Sequence, residues 1–166
     1  MRVKIKKLHP NAVIPKQATE LAGGWDVVCT EIIQESPDFV ICNLGFALQP
    51  PAGYRVILVP RSSFTKTKWI LQNTPGLGDA DYLGEYQYRF RAIPIGIKEC
   101  TKTIYESFGC SYDEKVVELI YQDFPYKVGD RIGQIYLEEV IPIEFEEVEE
   151  LAQTKRGDGG YGSTGN

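Results

Sequence analysis

The chain has 166 residues, 43% of them hydrophobic, and a net charge of −5, which suits one domain with a sizeable core and not two ordinary ones. Its basic residues are scattered rather than gathered into a stripe, so no direct nucleic-acid partner is expected and any anion site must be local. Four cysteines with no Cys-x-x-Cys pair and a lone His9 argue against a zinc centre, and no apolar run is long enough to span a membrane.

The stretch Met1-Arg2-Val3-Lys4-Ile5-Lys6 lacks the apolar run of a signal peptide, and with the cysteines read as buried thiols this points to a cytoplasmic protein. Short alternating or apolar runs follow between turn residues, at 3–8, 39–48, 54–59, 86–97, 131–140 and 143–148, a pattern that predicts an all-β fold. Pro50-Pro51-Ala52-Gly53 reads as a tight connection between two runs, and Asn73-Thr74-Pro75-Gly76 as the opening of another hairpin. A short helix is predicted over 65–71, where its amides would point back toward Arg61-Ser62-Ser63. Residues 97–126 break the rhythm and read as an insertion on the β framework, with a possible extra strand over 116–121. After Glu144 the chain turns acidic, a solvated edge before the end.

Several segments have residue types suited to chemistry. Pro60-Arg61-Ser62-Ser63 follows an apolar run, so its side chains and amides can converge on phosphate oxygens; a capped turn with an exposed arginine is the plainer alternative. Within Gly76-Leu77-Gly78-Asp79-Ala80-Asp81-Tyr82-Leu83-Gly84, Asp79 and Asp81 would share one face of a strand. Such carboxylates serve turn chemistry, activate a water, or bind a cation, and spacing alone leaves these open. Gly129-Asp130-Arg131-Ile132-Gly133-Gln134 reads as a turn entering a strand. The final Arg156-Gly157-Asp158-Gly159-Gly160-Tyr161-Gly162-Ser163-Thr164-Gly165-Asn166 joins phosphate donors and an aromatic ring to a Gly-rich backbone, which describes either a disordered tail or a lid that closes over a nucleotide.

Five segments in order resemble the five motifs of the trimeric dUTP diphosphatase (dUTPase) family: Gly23-Gly24-Trp25-Asp26-Val27, Pro60-Arg61-Ser62-Ser63, Asn73 through Gly84, Gly129 through Gln134, and Arg156 through Gly165. The resemblance implies a jelly-roll-like β barrel over 1–155, a flexible Gly-rich lid over 156–166, and a homotrimer with active sites shared between subunits. It also implies hydrolysis of dUTP to dUMP and pyrophosphate, which limits uracil in DNA and supplies dUMP for dTMP synthesis. Magnesium, Mg2+, would be bound through the triphosphate and water, with no direct protein ligands.

By the same resemblance Asp79 activates the water that attacks the α-phosphorus, and Tyr82 packs on deoxyribose and rejects a ribose. Asn73 and Gly76 belong to the hairpin that pairs with the uracil edge, while Arg61, Ser62, Ser63 and Gln134 serve the phosphates. Asp26, Asp130 and Arg131 support them. Arg156 meets the γ-phosphate region, Tyr161 stacks over uracil, and Gly162, Ser163 and Thr164 close on phosphate. The chain departs from the family pattern at Gly78, where an aliphatic residue usually precedes the catalytic acid, at Leu83, where a polar or basic residue is common, and at Ser63, where glycine is frequent. The related dCTP deaminases, or a bifunctional deaminase and diphosphatase, share Arg-Ser-Ser; they carry a glutamate base where Arg89 stands. A different class of reading is a nucleotide-gated regulatory trimer that uses 97–126 as a protein-binding surface.

Overall fold

A computed structural model describes residues 1–105 and 111–159 of the chain. Thirteen strands run in the order β1 (Lys4–Lys7), β2 (Lys16–Gln17), β3 (Trp25–Val28), β4 (Glu31–Ser36), β5 (Phe39–Asn43), β6 (Phe46–Gln49), β7 (Tyr54–Pro60), β8 (Trp69–Leu71), β9 (Gly76–Gly78), β10 (Gln87–Ala92), β11 (Gly96–Tyr105), β12 (Ser111–Ile120) and β13 (Arg131–Glu139). The only helical turn among the described residues is a 3-10 segment, Ser62–Lys66. No helix there is long and apolar enough to cross a membrane.

Two sheets make the body of this all-β fold: a five-stranded sheet in the order β2-β3-β13-β7-β9 and a four-stranded sheet in the order β4-β5-β10-β8, with β1 and β6 forming a separate pair. Alternation along the strands sends Val56 and Leu58 of β7, Val27 of β3 and Ile132 and Ile135 of β13 into one core with Val40 and Cys42 of β5 and Tyr88 and Phe90 of β10. Tyr88 ties the sheets together. Its buried hydroxyl donates to the carbonyl of Gln134 at 2.7 Å and so satisfies a polar group that would otherwise be costly to bury. Its ring lies against β13 where Gly133 has no side chain; a Cβ there would overlap the ring and sit 2.6 Å from the hydroxyl. Gly133→Ala is therefore expected to destabilise the fold by about 1–3 kcal/mol through overpacking, read as a lower midpoint in chemical denaturation.

Several expectations change. The run at 39–48 is two strands, because Gly45 takes a left-handed φ of +70° and breaks the ladder. The helix expected over 65–71 is replaced by the 3-10 turn at Ser62–Lys66 and by β8; Phe64 of the turn is buried against Phe90 at 4.9 Å between ring centroids, and this packing fixes the turn earlier in the chain. Residues 143–148 form no strand: Ile143 and Phe145 are exposed, with no pairing segment among the described residues. Asn73–Gly76 does not open a hairpin between β8 and β9, because β8 pairs with β10 while β9 pairs with β7; the chain crosses from one sheet to the other.

Residues 97–126 take two forms. β11 and β12 pair antiparallel over ten register positions as a ribbon of their own. Residues 121–126 instead return to the body, where Phe124 packs on Trp69 at 5.0 Å and on Phe90 at 5.3 Å and Tyr126 stacks on Phe64. Cys29 and Cys42 are buried free thiols, whereas Cys100, on the ribbon, is only partly buried; Cys110 lies outside the described residues.

Candidate active site

Two clusters of polar residues flank β7. The first is organised by Asp26, a carboxylate on β3 that is only 7% exposed. One of its oxygens accepts from Arg131 Nη1 at 2.8 Å, and the other accepts from Gln134 Nε2 at 3.0 Å. Arg61 Nε stands 3.9 Å from that second oxygen, and its Nη1 donates to the carbonyl of Arg131 at 3.1 Å. The pairing of β3 with β13, which sets Asp26 opposite Gln134, is what brings together residues more than a hundred positions apart. A buried carboxylate held by a guanidinium and an amide fixes their orientation; the Arg131 side chain stays about half exposed beyond this contact.

Arg131 thus pairs with Asp26 and not with its neighbour Asp130. The Asp130 carboxylate accepts from the amide of Lys127 at 2.9 Å and closes the turn that enters β13. Ser62 and Ser63 are exposed on the 3-10 turn that follows Arg61; they lie inside the helical turn and not ahead of it.

The second cluster is a cavity of about 430 Å³ lined by Leu58, Asn73, Pro75, Gly76, Leu77, Gly78, Tyr82, Glu85, Tyr86, Gln87 and Arg89. Gly76 lies opposite Leu58 in the β7 and β9 ladder. A Cβ on Gly76 would stand 3.1 Å from Leu58 and 3.3 Å from Asn73 Nδ2, so glycine keeps this wall close. Asn73 Oδ1 accepts from the amide of Arg89 at 3.2 Å, which leaves its Nδ2 group at the cavity. Tyr82, 45% exposed, crosses the rim; its hydroxyl donates to the carbonyl of Glu85 at 2.9 Å.

Asp79 follows β9 directly. The strand ends at Gly78, and the amide of Tyr82 donates to the carbonyl of Asp79 at 3.2 Å, so residues 79–82 form a turn. Asp79 and Asp81 therefore do not share a strand face. The Asp79 side chain is exposed, while Asp81 lines a different cavity with Arg2, Lys4 and Pro50 to Ala52.

Asp26 and Arg131 line yet another cavity, with Lys16 and Val28, so the Asp26 cluster and the Asn73–Tyr82 pocket open separately in this chain. Arg156 is exposed on the C-terminal segment and bonds within its own turn, Nε to the carbonyl of Gly159 at 2.9 Å. Tyr161, Gly162, Ser163 and Thr164 lie outside the described residues. Sequence reasoning did not single out Glu85, Tyr86 and Gln87 as cavity residues; their only signal was that they follow the Asp79 motif.

The fold is a sheet sandwich in which the crossover from one sheet to the other lines a pocket with Asn73, Gly76 and Tyr82, next to a turn that bears Asp79, while a buried carboxylate braces Arg131 beside Arg61. The family model described as dUTPase matches residues 115–165. The deoxyuridine 5'-triphosphate nucleotidohydrolase of Helicobacter pylori (strain Shi470) is 34% identical over 167 residues, covering 99% of this chain and 97% of its own, and that of Hydrogenobaculum sp. is 32% identical over 168 residues, covering 99% of each. Among solved structures, the Staphylococcus bacteriophage 80alpha dUTPase with dUPNHPP aligns with a TM-score of 0.74 at 23% identity over 99% of both chains. The dUTPase from phage phi11 of S. aureus, a protein with a species-specific insert, aligns at 0.66 and 21% over 93% of this chain and all of that one. The chain belongs to the dUTPase family.

Proposed function

We propose that this chain hydrolyses dUTP to dUMP and pyrophosphate, with Asp79 as the base that takes a proton from the water attacking the α-phosphorus. The observation that carries this reading is the cavity of Asn73, Gly76 and Tyr82 with Asp79 on the turn that leads into its rim. Backbone groups and the Asn73 amide offer donors and acceptors to a pyrimidine edge, and the Tyr82 ring offers a flat wall against a sugar with no 2'-hydroxyl. Arg61, Ser62, Ser63, Arg131 and Gln134 then receive the phosphates, with Asp26 as the shared brace and Asp130 as the turn that sets the start of β13.

Magnesium arrives with the triphosphate. In this reading the ion is carried by phosphate oxygens and water and not by a cage of protein ligands. Bound there, it neutralises triphosphate charge.

The two clusters open into different cavities, and this supports a site completed across subunits of a homotrimer. Ile141, Ile143, Phe145 and Leu151, each more than 70% exposed, supply apolar surface of the kind that assembly covers. The core domain extends over 1–155 with the β11 and β12 ribbon as its insertion, and 156–166 form the lid: Arg156 near the γ-phosphate, Tyr161 over uracil, and Gly162, Ser163 and Thr164 on phosphate. The cytoplasm, where nucleotide pools lie, is the compartment this activity fits.

Arg89 at the cavity favours this reading over a dCTP deaminase, since a guanidinium cannot act as the base such a reaction needs. Steady-state rates with dUTP, dCTP, dTTP and UTP test both. Turnover confined to dUTP is expected. Release of ammonia from dCTP, or equal rates with UTP, overturns the assignment.

A further inference from the structure

Tyr86 has the one buried side-chain polar atom that finds no hydrogen-bond partner among the described residues, its own hydroxyl. The residue is 3% exposed, and its position is fixed at both ends. Its amide donates to the carbonyl of Phe46 and its carbonyl accepts from the amide of Leu44, both at 3.1 Å. Its ring lies edge-on to Tyr82 at 5.4 Å and near Phe46 at 6.4 Å.

The far end of that ring occupies the space a side chain at position 78 would need. A Cβ built on Gly78 would overlap the Tyr86 hydroxyl and stand 2.5 Å from Cε1 and 2.8 Å from Cζ, closer than packed atoms come. The aliphatic residue that the family pattern carries just before its catalytic acid is thus absent for a steric reason. The Tyr86 ring fills that volume and places its unpartnered hydroxyl there. Burial, followed by the neighbouring Tyr82 and Asp79, pushes the phenol up to about 12, so at neutral pH the group is a donor.

We propose that Tyr86 is a positioning residue for Asp79: its ring supports the end of β9 where Gly78 has no side chain, and its unpaired hydroxyl gains an acceptor from the 79–82 turn when bound nucleotide draws Asp79 down onto the pocket. An unpaired buried donor is a liability in the free protein. A partner gained only in the reacting complex turns that liability into preferential stabilisation of the reacting geometry. The same ring meets Tyr82, so a single side chain sets the base and the sugar wall together. The proposal rests on the dUTP reading above.

The test compares dUTP hydrolysis by the full-length wild type, Tyr86→Phe, Tyr86→Ile and the double variant Gly78→Ile/Tyr86→Ile. Removing only the hydroxyl, in Tyr86→Phe, is expected to lower kcat about tenfold with KM within about twofold and to leave the melting temperature equal or higher, because the orphan donor is gone. Tyr86→Ile is expected to lose more turnover, and adding Gly78→Ile is expected to recover most of that additional loss by returning the bulk to position 78. Wild-type kcat in Tyr86→Phe would reduce Tyr86 to a space filler and overturn the proposal, as would failure of the second isoleucine to rescue the first. A wild type inactive on dUTP would instead overturn the underlying reading, before any variant is compared.

Discussion

Asp79→Asn is expected to bind the nucleotide and to lose turnover by roughly 10²–10⁴-fold, the usual contribution of a positioned general base. The turn that presents the side chain is closed by main-chain atoms, with the Tyr82 amide donating to the Asp79 carbonyl, so an isosteric amide leaves the turn in place. The pocket is lined by Asn73, Gly76 and Tyr82 and not by the Asp79 side chain, so base and sugar recognition should survive. An amide cannot accept the proton of the attacking water. Single-turnover hydrolysis of dUTP measures the loss, and calorimetric titration with the non-hydrolysable dUPNHPP measures the retained affinity. Asp81→Asn serves as the control, since Asp81 faces Arg2, Lys4 and the 50–52 connection; its turnover should stay within about threefold. If Asp79→Asn turned over at the wild-type rate, or if Asp81→Asn were the inactive variant, the assignment of the base would be wrong.

The β character of the chain was legible because alternation along a strand is local. Residues 54–59 read as a strand and form β7 over Tyr54–Pro60, with Val56 and Leu58 pointing into the core. Residues 143–148 also begin with an apolar-polar alternation, Ile143-Glu144-Phe145-Glu146, and form no strand, because pairing is supplied by another segment and periodicity does not report whether one is there. The short strands β2, β3 and β4 were passed over for the opposite reason. Trp25–Val28 becomes a strand through its ladder with β13, more than a hundred residues away, and little in those four residues alone announces it.

The site divides along the same line. Asp79, Tyr82, Asn73 and Gly76 lie close together in the chain, and the fold gathers Asn73, Gly76 and Tyr82 around one cavity with Asp79 on the adjoining turn; their roles came from the family resemblance and not from spacing. Asp26 was read as a supporting residue, and the structure identifies Arg131 and Gln134 as the groups it holds; no spacing rule reports that contact, because sheet register decides it. Gly78 stood out as a departure from the family pattern, yet its cause was hidden until the fold brought the Tyr86 ring over it. Small-for-large exchanges between positions that touch only in three dimensions are legible as anomalies and explained only by packing.

Removal of residues 156–166 is expected to lower kcat/KM on dUTP roughly hundredfold, the scale at which losing a closing element disturbs alignment, with the fold and assembly unchanged. The described part of this segment supports the second half of that statement: Arg156, Gly157 and Asp158 are exposed, and the Arg156 guanidinium bonds only to Gly159 within its own turn. Among the described residues, nothing in the core cluster comes from beyond β13. Light scattering should therefore report the same number of chains per assembly for truncated and full-length protein, while steady-state assays report the loss. Whether the lid serves its own chain or a neighbour is decided by co-refolding the truncated chain, which keeps Asp79, with full-length Asp79→Asn, which keeps the tail. A tail donated to a neighbour restores activity at about a quarter of the sites in randomly mixed trimers, because some sites then receive an intact base and an intact lid from different chains. A tail that folds back on its own chain restores none, and that result would require the Asn73–Tyr82 pocket and the Asp26 cluster to be closed from within one subunit.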